Sequence, residues 1–169
     1  VFSEREFKDH RIIHKESTKD VLRVLASNYR KKSNCKIIGI TGSNGKTTTK
    51  EILYHTIKNE IRCIRNIKNY NSTLGMPMSL FQIMEDTDYC ILEMGTNKKG
   101  EIEYLSDIAK PDIGLLTNIS EAHLENFHTI SNIITEKICL LKSLESDGIA
   151  FINNDDENIV KESKQIKTK

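Results

Sequence analysis

Five short apolar runs, "NCKIIGI", "EIRCIRN", "DYCILEMG", "DIGLLTNI" and "GIAFINN", recur along the chain with helix-like segments between them. The runs are continuous rather than alternating in polarity. Each therefore reads as a strand covered on both faces, and strands that alternate with helices pair in parallel. The pattern predicts an α/β fold, a mostly parallel sheet with helices on both faces. The segments between agree. "STKDVLRVLASNYRKK" reads as an amphipathic helix capped by Ser17 or Thr18, with Val21, Leu22, Val24 and Leu25 as its apolar stripe. Lys46 to about Lys58 reads as a second helix, and "LGMPMSLFQIM" as a third with Pro77 in its first turn. "GEIEYLSDIAK" is a helix stopped by Pro111, "TISNIITEKICLLKSL" a long helix, and "KESKQIKTK" a polar tail, frayed or cut short. At 169 residues the chain fits one domain, or one domain with a remnant of another.

In an open parallel sheet, ligands gather beyond the carboxyl ends of the strands. After the first strand comes TGSNGKTTT, after the third Glu93 to Asn97, after the fourth Asn118 to His123, and after the fifth Asn153 to Asp156. A glycine turn from strand into helix aims backbone N–H groups at an anion, and the helix N-terminus adds a positive dipole. Lys46 supplies a mobile charge for the β- and γ-phosphates, and the Thr47 hydroxyl a ligand for Mg2+. Ile40 stands where the long form of this pattern has glycine, so only G-x-x-G-K-T, Gly42 to Thr47, is present. The bland alternative is a glycine turn before a helix that happens to begin with lysine. With a strand before it and Gly-Lys-Thr-Thr opening the helix, the loop reads as a holder of ATP phosphates.

The other loops are less specific. Glu93 ends a strand beside a glycine, which taken alone more often marks a solvated strand end or an ion pair than a metal ligand. His123 is either a hydrogen-bonded surface residue or a neutral-imidazole ligand. One carboxylate and one imidazole beside a hydroxyl and phosphate oxygens suit Mg2+, which keeps several waters. Lys137, on composition alone, is a solvated helical lysine. The asparagines of "NYNSTLGMP" either cap a helix or touch substrate. The net charge of +1 leaves no excess of cations for a nucleic-acid backbone, and no apolar run approaches membrane-spanning length. Cys35, Cys63, Cys90 and Cys139 stand far apart and read as buried hydrophobes in a reducing cytoplasm.

TGSNGKTTTKE, NYNSTLGMP, ILEMGTNKKGEI, NISEAHLENF and GIAFINNDDE, in this order, resemble the central ATP-binding domain of the Mur ligases, the amide-forming enzymes of peptidoglycan synthesis. The resemblance runs from about Lys36 to Asn158, and weakly back through "VLRVLASNYRKK". "EMGTNKKGEI" and "AHLENF" favour the branch that adds D-alanyl-D-alanine to UDP-N-acetylmuramoyl-tripeptide. It implies ATP and Mg2+ as cofactors and those two substrates as partners, with no nucleic acid, no membrane insertion and a monomeric enzyme. A substrate carboxylate would take the γ-phosphoryl group, and the amine of the dipeptide would attack the acyl phosphate.

By resemblance Gly42, Ser43, Asn44, Gly45, Lys46, Thr47 and Thr48 cradle the phosphates, with Asn153 near the adenine. Thr47 and Glu93 hold one Mg2+, His123 helps hold a second, and Lys137 takes the place of a carbamylated lysine that binds it. Asn69 and Asn71 match a substrate-side loop. Cys139 and Ser72 depart from the family pattern, where acidic or amide-bearing residues are expected. Residues 1–16 match at most a remnant of an N-terminal UDP-substrate domain, 17–35 a linker helix, and 36–169 a central domain incomplete at its C-terminus. A start at Val1 and no match to a C-terminal domain predict a fragment that binds ATP without ligating. Two other readings stay open: a Mur-type or folylpolyglutamate-synthase-like ligase of different substrate, and a non-catalytic ATP-binding module.

Overall fold

Lys36–Thr41, buried at five of its six positions, becomes the central strand of a five-stranded sheet. A computed structural model describes residues 1–6, 8–121, 124–166 and 168. In chain order the elements are β1 (Phe2–Ser3), β2 (Ile13–His14), α1 (Thr18–Lys31), β3 (Lys36–Thr41), α2 (Lys46–Ile57), β4 (Cys63–Arg65) and α3 (Gly75–Leu80). Then come β5 (Tyr89–Glu93), α4 (Glu101–Ala109), β6 (Ile113–Leu116), α5 (Leu124–Phe127), α6 (Ile130–Lys142), β7 (Ile149–Ile152) and α7 (Glu157–Ser163). The main sheet has the order β4-β5-β3-β6-β7, and every pairing in it is parallel, as the sequence predicts. β1 and β2 form a separate parallel pair.

Successive strand residues face opposite sides. Ile38 and Ile40 of β3, with Ile91 of β5, pack against Leu53, Tyr54 and Ile57 of α2. Ile37, Cys90, Leu92 and Leu116 face the other way, into a larger core built with Ala26, Leu80, Leu105, Leu140 and Ile159 from α1, α3, α4, α6 and α7. Each Leu or Ile among them contributes about 1.5–3 kcal/mol when fully buried. Both faces therefore carry helices, but unequally. α2 lies over β3, β5 and β4, so on its side of the sheet Ile149 and Phe151 of β7 remain 41% and 54% exposed.

Two local expectations change. Ser17 caps α1 by accepting from the Asp20 N–H, but Val24 and Leu25 of the apolar stripe are exposed. The helix docks instead through residues spaced three and four apart: Leu22 is half-buried, Ala26 is buried, the Tyr29 hydroxyl donates to Ile83 O at 2.6 Å, and Arg30 Nε donates to Ala109 O at 2.8 Å. The polar tail also begins as a helix. Asp156 caps α7 by accepting from Asn158 and Ile159 N–H, and Ile159 is fully buried, which holds Lys161 to Ser163 in place. All four cysteines are unpaired; Cys35 and Cys90 are buried, Cys63 and Cys139 half-buried. Among the described residues no helix is long and apolar enough to cross a membrane.

Candidate functional site

β3 ends at Thr41, whose hydroxyl donates to Met94 O at 2.9 Å and ties the strand to the end of β5. The chain then turns at Gly42, with φ of 152°, where a Cβ would lie 1.9 Å from the Thr117 hydroxyl oxygen. It enters α2 through Gly45, whose φ of 77° suits glycine and whose missing side chain leaves open space. No side chain caps α2, and its first main-chain bond runs from Thr49 N–H to Gly45 O. Among the described residues, nothing accepts from the N–H groups of Gly45, Lys46, Thr47 and Thr48. Four orphan donors at the positive end of a helix, facing room, make an anion site. Thr47 and Thr48 are exposed beside it.

Ser43 and Asn44 are bonded to the segment after β6. Ser43 N–H donates to Asn118 O at 2.9 Å, its hydroxyl donates to Ser120 O at 3.1 Å and accepts from Ser120 N–H at 2.9 Å. Asn44 N–H donates to Asn118 Oδ1, and Asn44 O accepts from the Thr117 hydroxyl at 2.7 Å. Asn44 Nδ2 also donates to the Ser120 hydroxyl at 3.1 Å, so both residues fasten the loop to the segment after β6. That segment is held in turn by Asp156, which accepts from Ile119 N–H at 2.7 Å.

Two lysines converge on one carbonyl. Lys46 Nζ donates to Gly42 O at 2.9 Å and Ser43 O at 3.1 Å, and Lys137 Nζ donates to Gly42 O at 3.0 Å. Burial lowers the Lys46 pKa, opposed by the Glu93 charge. Burial, and then the Lys46 charge, push Lys137 down to about 8, with Glu136 opposing. Lys137 is thus a buried amine at the phosphate loop, not a solvated helical one.

Glu93 is buried at the end of β5, with both carboxylate oxygens directed. The Thr47 hydroxyl donates to Oε2 at 2.8 Å and Asn71 Nδ2 to Oε1 at 2.9 Å. A hydroxyl and a carboxylate of hard oxygens beside a phosphate loop fit Mg2+. Among the described residues no group of three or more His, Cys, Asp or Glu is placed to hold a metal ion. His123 lies outside the described residues. Asn71 turns inward to Glu93, and the absent side chain of Gly95 admits it: a Cβ there would sit 3.1 Å from Asn71 Cγ. Asn69 is exposed on the same loop. Asn153, at the carboxyl end of β7, lines a groove of about 300 Å³ with Thr49, Leu115, Thr117 and Phe151.

Three buried groups escape the sequence reading. Asn66 clamps the Glu93 main chain, accepting from its N–H and donating to its carbonyl, both at 2.9 Å. Lys50 donates to Asn66 O at 2.9 Å. Glu136 accepts from Gly100 N–H at 2.7 Å and Ile102 N–H at 2.8 Å, which fixes the loop after β5 to α6 beside Lys137. Only Lys50 carries a sequence signal: it follows Thr47 by three residues and so shares its helix face.

Residues 40–169 match the family model described as the Mur ligase middle domain. The UDP-N-acetylmuramoyl-tripeptide–D-alanyl-D-alanine ligase of Bacillus subtilis is 34% identical over 149 residues, 88% of this chain and 33% of that protein. Its counterpart in Rickettsia prowazekii is 40% identical over 134 residues, 79% of this chain and 30% of that protein. This chain thus spans about a third of the length of these relatives. Among solved structures, MurF ligase from Thermotoga maritima in complex with ADP superposes with a TM-score of 0.92 at 34% identity, covering 99% of this chain and 39% of that one. The parallel sheet, the phosphate loop at its carboxyl edge and these matches agree: the chain belongs to the Mur ligase family, in its middle domain.

Proposed function

We propose that this chain is the nucleotide-holding part of an ATP-dependent amide ligase that joins D-alanyl-D-alanine to UDP-N-acetylmuramoyl-tripeptide. The orphan N–H groups of residues 45–48, with Lys46, Lys137 and the Thr47–Glu93 pair around them, carry this reading. The names of the relatives and the ADP held by the Thermotoga protein support the substrates and the nucleotide. In this reading residues 36–169 form the nucleotide domain, 17–35 the helix leading into it, and 1–16 belong with a UDP-substrate domain. The unpaired thiols suit a cytoplasmic enzyme.

The N–H groups of 45–48 receive phosphate oxygens, while Ser43 and Asn44 keep the loop in shape. Lys46 leaves the Gly42 and Ser43 carbonyls and follows the γ-phosphoryl group as its charge moves to the leaving ADP. Thr47 and Glu93 would hold Mg2+, which neutralises the phosphates and polarises the group transferred. The tripeptide carboxylate then bonds to the γ-phosphorus as ADP departs, and the dipeptide amine displaces phosphate from the acyl phosphate to form the amide. His123 and Lys137 would hold a second ion. A carbamate forms only on a neutral amine; with a pKa of about 8 roughly one Lys137 in ten is neutral at pH 7. Asn153 lies beside the groove that would take the adenine, and Asn69 and Asn71 form the substrate side.

Calorimetric titration of this chain with a non-hydrolysable ATP analogue tests the reading. Binding should require Mg2+ and weaken about 10- to 100-fold in Lys46→Ala, the loss of a charge-assisted contact. A folded wild type that binds no nucleotide with or without Mg2+ would overturn it. In a longer enzyme carrying the flanking domains, Glu93→Ala with turnover intact would remove the metal role.

A further inference from the structure

Lys50 is a lysine with no access to water: its side chain is 1% exposed, and that of Glu93 beside it 4%. Fully buried lysines are rare unless their charge is matched. Its ammonium donates at 2.9 Å to Asn66 O and lies 3.5 Å from Glu93 Oε2 and 3.6 Å from Glu51 Oε1. Glu51 is already matched, since Arg65 Nε donates to both of its oxygens at 2.9 and 2.8 Å. Arg65 is fixed in turn over the Tyr54 ring, 3.9 Å from its centroid. That leaves the charge of Lys50 for Glu93. Lys50 also reaches Glu93 by a second path, through Asn66, whose side chain clamps the Glu93 main chain on both sides.

We propose that Lys50 is a positioning residue, a fixed internal counter-ion that keeps the Glu93 carboxylate aimed at the Thr47 hydroxyl when no divalent ion is bound. The proposal rests on the reading of Thr47 and Glu93 as metal ligands. A site that releases its metal nucleotide at each turnover alternates between loaded and empty. Without Lys50 the empty state would leave Glu93 as a buried, unmatched charge, free to turn away from Thr47. With Lys50 in place the carboxylate has the same orientation in both states, so the ligand pair is preformed. The same ammonium opposes the incoming cation, which favours release over tight retention.

The test is a double-mutant cycle on this chain in EDTA, followed by thermal melting, with Lys50→Met, Glu93→Gln and the pair together. Lys50→Met alone should lower Tm on the order of 10 °C. Adding Glu93→Gln should recover about half of the loss, because the unmatched charge is gone. Equal losses in single and double variants would overturn the proposal and leave Lys50 as a support for Asn66 only. If Lys50→Met does not fold, a folded double variant supports the proposal and an unfolded one overturns it. Millimolar Mg2+ without nucleotide should then raise the Tm of Lys50→Met more than that of wild type. A positive cycle with no Mg2+ effect on either protein would retain the Lys50–Glu93 pairing and reject the metal reading instead.

Discussion

Gly42 and Gly45 stand three residues apart and are glycine for different reasons. At Gly42 a Cβ would strike the Thr117 hydroxyl, in addition to a positive φ that L residues rarely adopt; at Gly45 it is the left-handed φ alone, with nothing nearby. Gly42→Ala should therefore cost about 3 kcal/mol or more, since the loop must shift off the segment after β6. Gly45→Ala should cost about 1–2 kcal/mol. Urea denaturation of the two variants would compare them directly, and equal losses would contradict the distinction. Lys137 adds a pH signature. Its folded pKa of about 8 lies below the ordinary value of 10.5, so between those limits the unfolded chain binds more protons and stability rises with pH. Relative to Lys137→Met, the wild type should gain on the order of 3 kcal/mol from pH 8 to 10.5, with no relative change between pH 6 and 7. Melts of both proteins across that range would show it.

Among the elements, α4 depends on a neighbour. Gly100 precedes it with φ of 87° and no capping side chain, and the carboxylate of Glu136 on α6 takes the Gly100 and Ile102 N–H groups instead. Glu136→Ala should cost about 2–3 kcal/mol, and Glu136→Gln about half as much, because the amide keeps one acceptor. Thermal denaturation at neutral pH would measure both. This bond spans 36 residues, and that distance explains what the sequence concealed. The five strands, α2 and α6 have local signals: β-branched runs, a Gly-Lys-Thr opening and a Thr129 cap. Glu93 and Lys137 could be named from motifs, but their partners could not. The bonds from Asn66 and Asn71 to Glu93 cross 27 and 22 residues and follow from how β4 and β5 pair, which no local pattern encodes. The exposed Val24 and Leu25 teach the converse, because an apolar stripe does not say which half of it meets the core.

At the scale of the whole molecule, the chain spans about a third of the length of its relatives. In the function proposed above, these 169 residues by themselves should bind Mg2+ and nucleotide yet give no D-alanyl-D-alanine-dependent phosphate release from ATP. A phosphate-release assay on this chain checks that expectation, and stimulated release would refute it. All five strands of the main sheet run the same way, and Lys46, Thr47, Glu93 and Asn153 all stand at their carboxyl ends. At the opposite rim Asp112 takes Arg30, Lys36 and the Ile37 N–H beside a cavity of about 370 Å³, and the turn at residues 145–147 is exposed at its edge. That rim is a handle. A fluorophore or a short peptide spliced into residues 145–147 would ride on the far side of the sheet, and nucleotide affinity should stay within about twofold of the parent.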